Sequence, residues 1–177
     1  MSRCVRFSFA LVLAFLGLSA PGAAQQPAAS GLTTVILVRH AERGPDEGLN
    51  SPILEKGRVR AEALARALKD SGITAIIVSE YIRTRQTAEP LARLLKLEPE
   101  TVPQQKGVDA LEAAIRAHRG QTILVCSHRG RIEPLVEKLG GKMTPIPDPD
   151  YDHLYILTLP DSGTARLLVL QYEAHPN

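Results

Sequence analysis

Apolar and polar positions along this chain follow two periods. Val35, Ile36, Leu37 and Val38 form an uninterrupted, β-branched run, the pattern of a strand buried on both faces. Residues 56–69, KGRVRAEALARALK, instead set Ala61, Leu64, Ala65 and Leu68 at helical spacing, and Gly72 follows as a stop signal. ITAIIVS (73–79) predicts a second buried strand and 83–95 a second helix. VDALEAAIRAH (108–118) reads as a third helix and QTILVCS (121–127) as another strand. Residues 133–139 make a further helix, closed by Gly140 and Gly141. HLYILTL (153–159) and TARLLVLQY (164–172) flank Pro160-Asp161-Ser162-Gly163, a hairpin with its own turn. Strands alternating with helices predict an α/β fold. The expected architecture is a three-layer sandwich with a mostly parallel central sheet, helices on both faces and a C-terminal β-hairpin.

The first 24 residues break from this pattern. Arg3 and Arg6 precede an apolar run from Phe7 to Leu18, and Gly22, Ala23 and Ala24 form a small-residue exit. That order predicts a secretory signal peptide over 1–24, with an apolar run too short for a stable membrane anchor. Residues 25–31, QQPAASG, read as a polar linker, and 32–177 as one domain. The expected location is periplasmic or secreted.

Charge and cysteine content narrow the function. Without Arg3 and Arg6 the basic and acidic residues balance at 19 each, which argues against a nucleic-acid partner. Only Cys126 remains beyond the signal, so no intramolecular disulfide is available, and it reads as a small core residue. Metal-ligand spacings of cysteine or histidine are absent, so neither a metal nor a cofactor is expected.

The candidate chemistry lies where the strands end. A strand running straight into Arg39 and His40 would bury a cation and an imidazole at a cost unless both face a ligand. In open α/β sheets ligands bind beyond the carboxyl ends of the strands. The second strand leads through Ser79, Glu80 and Tyr81 to Arg83, and the later one to His128 and Arg129. Histidines and arginines converging there make a cationic pocket suited to a phosphoryl dianion, with histidine as nucleophile.

Three motifs in order, Arg39-His40-Ala41-Glu42, residues 79–88 (SEYIRTRQTA) and Ser127-His128, resemble those of the histidine phosphatase superfamily, also called phosphoglycerate mutase-like. The resemblance covers nearly the whole domain. It implies phosphorylation of His40 during turnover, with Arg39, Arg83 and His128 gripping the phosphoryl group. The implied reaction is metal-independent hydrolysis of a small-molecule phosphomonoester. Arg85 and Arg93 read as solvated helix positions, and His118, His153 and His175 as structural or incidental.

Two departures bear on the mechanism. Many members carry an acid on an insertion before the later strand, but here that stretch is only LEPETVPQQKGVDALE. Glu42 is the carboxylate nearest the nucleophile in sequence and stands as candidate proton donor, with Asp109 and Asp152 as distant alternatives. Arg129 and Arg131 add cations after His128, either enlarging the anion site or starting a solvated helix. The compact layout is similar to that of short members, including those acting on protein phosphohistidine. A non-catalytic phosphate-ester-binding module is disfavoured by the intact quartet. A mutase is disfavoured by the missing insertion, because it must close its pocket against water. The sequence carries no signal for an oligomeric state.

Overall fold

The computed structural model describes residues 31–45 and 50–172, so the expected signal peptide (1–24), nearly all of the expected linker and His175 lie outside the described residues. The elements follow the order β1 (Thr33–Arg39), α1 (Glu55–Leu68), β2 (Ile73–Val78), α2 (Ile82–Leu95), β3 (Glu100–Thr101), α3 (Gly107–Ala117), β4 (Thr122–Ser127), α4 (Arg129–Lys138), β5 (His153–Leu159) and β6 (Arg166–Gln171). They build one six-stranded sheet in the order β3-β2-β4-β1-β5-β6. The pairs among β3, β2, β4 and β1 are parallel, whereas β5 and β6 run antiparallel.

The pleat sorts the strand residues between two cores. Val35 and Leu37 of β1, Ile77 of β2, and Ile123 and Val125 of β4 pack with Leu111 and Ile115 of α3 and Ile132, Leu135 and Val136 of α4. Their neighbours Ile36, Val38, Ile76, Val78, Leu124 and Cys126 face the other way, onto Leu64 and Leu68 of α1 and Ala88 and Leu91 of α2. This is the three-layer sandwich that the uninterrupted apolar runs predict. Cys126 is fully buried in the second core, and burial raises its thiol pKa, so it packs as an inert apolar group.

Two elements differ from the pattern, the unexpected two-residue strand β3 and the start of α4. α4 begins at Arg129, four residues before the expected start. Pro134 makes a later start look natural, but it lies inside the helix, and His128 serves as N-cap. The expected C-terminal hairpin is present, formed by β5 and β6. β5 adds antiparallel to β1, from Thr33 against Leu159 to Leu37 against Tyr155, so the hairpin completes the central sheet. No helix of the described residues is long and apolar enough to cross a membrane.

Candidate active site

β2, β4 and β1 are adjacent, and each hands a polar residue to the same rim. Arg39 pairs in register with Ser127, and the His40 amide donates to the Ser127 carbonyl at 2.9 Å. His40 and His128 therefore meet, with ring centroids 5.2 Å apart and planes at 63°. Tyr81 and His128 cap the first turns of α2 and α4, so the positive ends of two helix dipoles add to the rim.

His40 is buried and its protonation is set by its own backbone. Nδ1 lies 2.8 Å from the Ala41 carbonyl. A carbonyl oxygen only accepts, so Nδ1 carries the proton and Nε2 keeps its lone pair. Burial, aided by the charges of Arg83, Arg39 and Arg43, pushes the imidazole pKa down to about 4. At neutral pH the ring is an uncharged base with a free nitrogen.

His128 is held through two hydroxyls. Thr84 Oγ1 lies 2.9 Å from the Tyr81 carbonyl and 3.1 Å from that of Ser79, so its single proton goes to a carbonyl. It then accepts from the Ser79 hydroxyl at 2.9 Å, and Ser79 Oγ accepts from Nε2–H of His128 at 3.1 Å. Burial first, then the neighbouring His40 and Arg83, lower the His128 pKa to about 3.

The arginines each lie on a tyrosine. The Arg39 guanidinium sits 4.2 Å above the Tyr151 ring and that of Arg83 4.4 Å above Tyr81. Arg39 Nη1 donates to Asp148 Oδ1 at 2.9 Å and to the Asp150 carbonyl at 3.3 Å, and Nη2 to the Tyr151 hydroxyl at 3.3 Å. Its Nε is buried with no acceptor among the described residues. Such a donor costs roughly 1–3 kcal/mol, and an anion beside His40 would recover it. Arg83 acts electrostatically on both histidines. Arg85 is exposed and lines a groove outside α2 with Glu89 and Glu98.

Glu42 takes a different part from the one its sequence position suggests. Arg60 grips it in a fork, Nε to Oε2 at 2.9 Å and Nη2 to Oε1 at 2.8 Å. Although burial works in the other direction, this fork holds the carboxyl below its ordinary range. An ionised carboxylate with both oxygens engaged has no proton to give, so the candidate proton donor is corrected to a buried ion pair between β1 and α1. Asp109 binds Lys138 at 2.8 Å on the α3–α4 face, and Asp152 lies 3.2 Å from His153 Nδ1. The two added cations separate: Arg131 is buried and bonds the Gly107 carbonyl, whereas exposed Arg129 reaches Asp148 at 3.8 Å.

Sequence reasoning missed the loop from Asp148 to Tyr151, which makes every side-chain contact just described for Arg39. Because β5 runs antiparallel to β1, its first residues lie beside the end of β1. The only signal was the polar, proline-broken run PIPDPDYD before the hairpin. Asp150, Asp152 and His153 bring ligand atoms within 4.8 Å of one another, the one such group among the described residues. Its members are already bonded, His153 Nδ1 to Asp150 Oδ1 at 2.6 Å and the Tyr155 hydroxyl to Oδ2 at 3.0 Å, which anchors this loop.

Comparison with known proteins bears on the fold and on the first half of the domain. Residues 35–106 match the model of the histidine phosphatase superfamily (branch 1). The chain is 30% identical over 117 residues to an 8-oxo-(d)GTP phosphatase of Mycolicibacterium smegmatis, covering 59% of this chain. It spans only 36% of that curated relative. Among solved structures, the protein histidine phosphatase SixA complexed with tungstate superposes with a TM-score of 0.67 at 24% identity, over 78% of this chain and 96% of that one. A phosphoglycerate mutase from Bacillus anthracis gives 0.64 at 16% identity, over 80% and 93%. These structures share the fold, and the matched model covers the strand ends that carry His40, Arg39 and Arg83. Over residues 35–106 the chain is similar to the histidine phosphatase superfamily (branch 1), and its fold is shared with the solved structures above.

Proposed function

We propose that this domain is a metal-independent phosphatase that hydrolyses phosphomonoesters through a phosphohistidine at His40. One observation carries the reading: a buried imidazole whose Nδ1–H is tied to the Ala41 carbonyl and whose pKa is lowered to about 4, beside the acceptorless Nε of Arg39. Nε2 attacks phosphorus in line, the P–O bond to the alcohol breaks, and the alkoxide takes a proton from solvent. Arg39 and Arg83 offset charge on the equatorial oxygens. A dianion in the pocket favours a second proton on His128, turning it into a third positive partner. Water then attacks phospho-His40, releasing inorganic phosphate and restoring the imidazole.

A protein-borne phosphohistidine is the second reading of the substrate. It is favoured by the compact connection from α2 to β4, whose one long helix, α3, packs on a sheet face with α4 rather than over the strand ends. The protein histidine phosphatase SixA shares this compact fold. We also place the domain outside the cytoplasm, periplasmic or secreted and without a membrane anchor, on the pattern of residues 1–24.

The test is to trap the intermediate. Brief reaction with radiolabelled p-nitrophenyl phosphate, quenched in alkali, should leave acid-labile label on the wild type and none on His40→Ala. Turnover should persist in EDTA and be blocked by vanadate. A requirement for added magnesium or zinc would sink the mechanism.

A further inference from the structure

Arg39 carries a carboxylate partner, Asp148, which the phosphoryl-transfer scheme does not use. It is exposed, yet Oδ1 lies 2.9 Å from Nη1 of largely buried Arg39, and Oδ2 lies 3.8 Å from Nη1 of Arg129. The edge of the guanidinium it occupies matters. A guanidinium offers Nε and Nη2 as one bidentate edge, while Nη1 points from the opposite corner. Asp148 and the Asp150 carbonyl hold Nη1, and Nε is the donor with no acceptor. A phosphoryl group can therefore take the Nε–Nη2 edge while Asp148 keeps Nη1. Both anions would then sit on one guanidinium, a few ångströms apart.

We propose that Asp148 is a specificity-determining residue, whose fixed carboxylate at the pocket rim selects phosphoryl groups on neutral or cationic carriers and rejects carriers with a second anionic group nearby. This rests on the phosphatase reading of the pocket. The phosphoryl group itself is offset by Arg39, Arg83 and His128. A second phosphate or carboxylate on the same substrate emerges at the rim, where it meets Asp148 and an Arg129 already partly neutralised by it. Carriers such as an alcohol, a phenol or the imidazole of a protein histidine meet no such repulsion. Like charges at this separation in a half-solvated site alter affinity several-fold, and salt screens the effect.

Binding of non-hydrolysable ligands tests this without turnover. Phenylphosphonate carries one anionic group and methylenebisphosphonate two. Calorimetry at low salt should show Asp148→Asn tightening the bisphosphonate about fivefold more than phenylphosphonate, a margin that shrinks in high salt. Asp148→Glu, which keeps the charge, should retain the wild-type preference. Equal shifts for both ligands would reduce Asp148 to a support for Arg39 and overturn the proposal, as would no shift or failure of both ligands to bind. Wild-type hydrolysis of p-nitrophenyl phosphate, measured separately, reports on the phosphatase reading alone: activity with an unchanged ligand ratio would sink only the role of Asp148.

Discussion

Thr87 holds the loop that carries His40: its Oγ1 accepts the Ala41 amide at 2.9 Å and donates to the Arg83 carbonyl at 2.7 Å. One buried hydroxyl thus joins the end of β1 to the first turns of α2. Ala41 is also the residue whose carbonyl fixes the His40 tautomer. Thr87→Val keeps the shape but leaves the Ala41 N–H buried and unpaired, which should cost about 1–3 kcal/mol in urea unfolding. Thr87→Ser should recover most of it. Phosphorylation of His40 should slow in the valine variant, since a loosened loop misplaces Nε2. Equal stability of the two variants would show that this bond does not matter.

Removing Arg83 should cost far more than removing its helical neighbour. Its charge acts on both histidines, whereas Arg85 is exposed on the far side of the helix. Arg83→Ala should lower kcat by about a hundredfold or more, the scale of a single electrostatic stabiliser, and Arg85→Ala should be nearly silent. Swapped behaviour would mean that α2 presents its other face.

The pH dependence follows from His40. Nucleophilic attack needs the neutral ring, and its pKa is lowered from 6.5 to about 4 by burial and then by the arginines. The acid limb of kcat/KM, corrected for ionisation of the substrate, should therefore fall near pH 4. In Arg83→Gln one opposing charge is gone, so the limb should move upward. Stability has the matching sign. Below 6.5 the unfolded chain takes up a proton that the folded ring refuses, so stability declines as pH falls from 6.5 to about 4. For His40 alone that is on the order of 3 kcal/mol, and His40→Asn should lack this part of the slope in denaturation at a series of pH values.

Gly57 sets how closely α1 approaches the active-site loop. A β-carbon there would lie 2.6 Å from the Glu42 carbonyl oxygen and 3.3 Å from Ala41 Cβ. Gly57→Ala must push α1 away from residues 41–42, straining the Glu42–Arg60 pair. Both the melting temperature and kcat should drop. A stabilised and fully active alanine variant would rule out this packing.

The sequence made the apolar strands legible because both sheet faces are covered, leaving unbroken runs such as Val35 to Val38. The rim positions of His40, Arg39 and His128 were legible for a related reason, because polar residues at or directly after the ends of such runs have only the rim to occupy; Arg83 follows in the first turn of α2. Glu42 misled, since nearness in sequence carries no information about Arg60, 18 residues on and one helix away. Asp148 and Tyr151 were hidden for a topological reason. They reach Arg39 only because β5 docks antiparallel on β1, more than 100 residues away in sequence, and no local pattern announces that pairing.

The fate of the leaving group follows from where the carboxylates ended up. Glu42 is forked by Arg60, Asp109 is tied to Lys138, and Asp152 lies against His153. Asp148 is held below the ordinary carboxylate range by its bond to Arg39. Glu42 and Asp148, the two held below the ordinary range by arginines, are therefore not poised to protonate a departing alkoxide. Formation of phospho-His40 should then speed up steeply as leaving-group pKa falls, with p-nitrophenyl phosphate far ahead of simple alkyl phosphates. Hydrolysis of the intermediate is common to every substrate, so the pre-steady-state burst is the quantity to follow. Glu42→Gln should unfold more easily, because it removes the charge from the Arg60 fork, yet keep the same leaving-group slope. A flat series in the wild type that turns steep in Glu42→Gln would make Glu42 the acid after all.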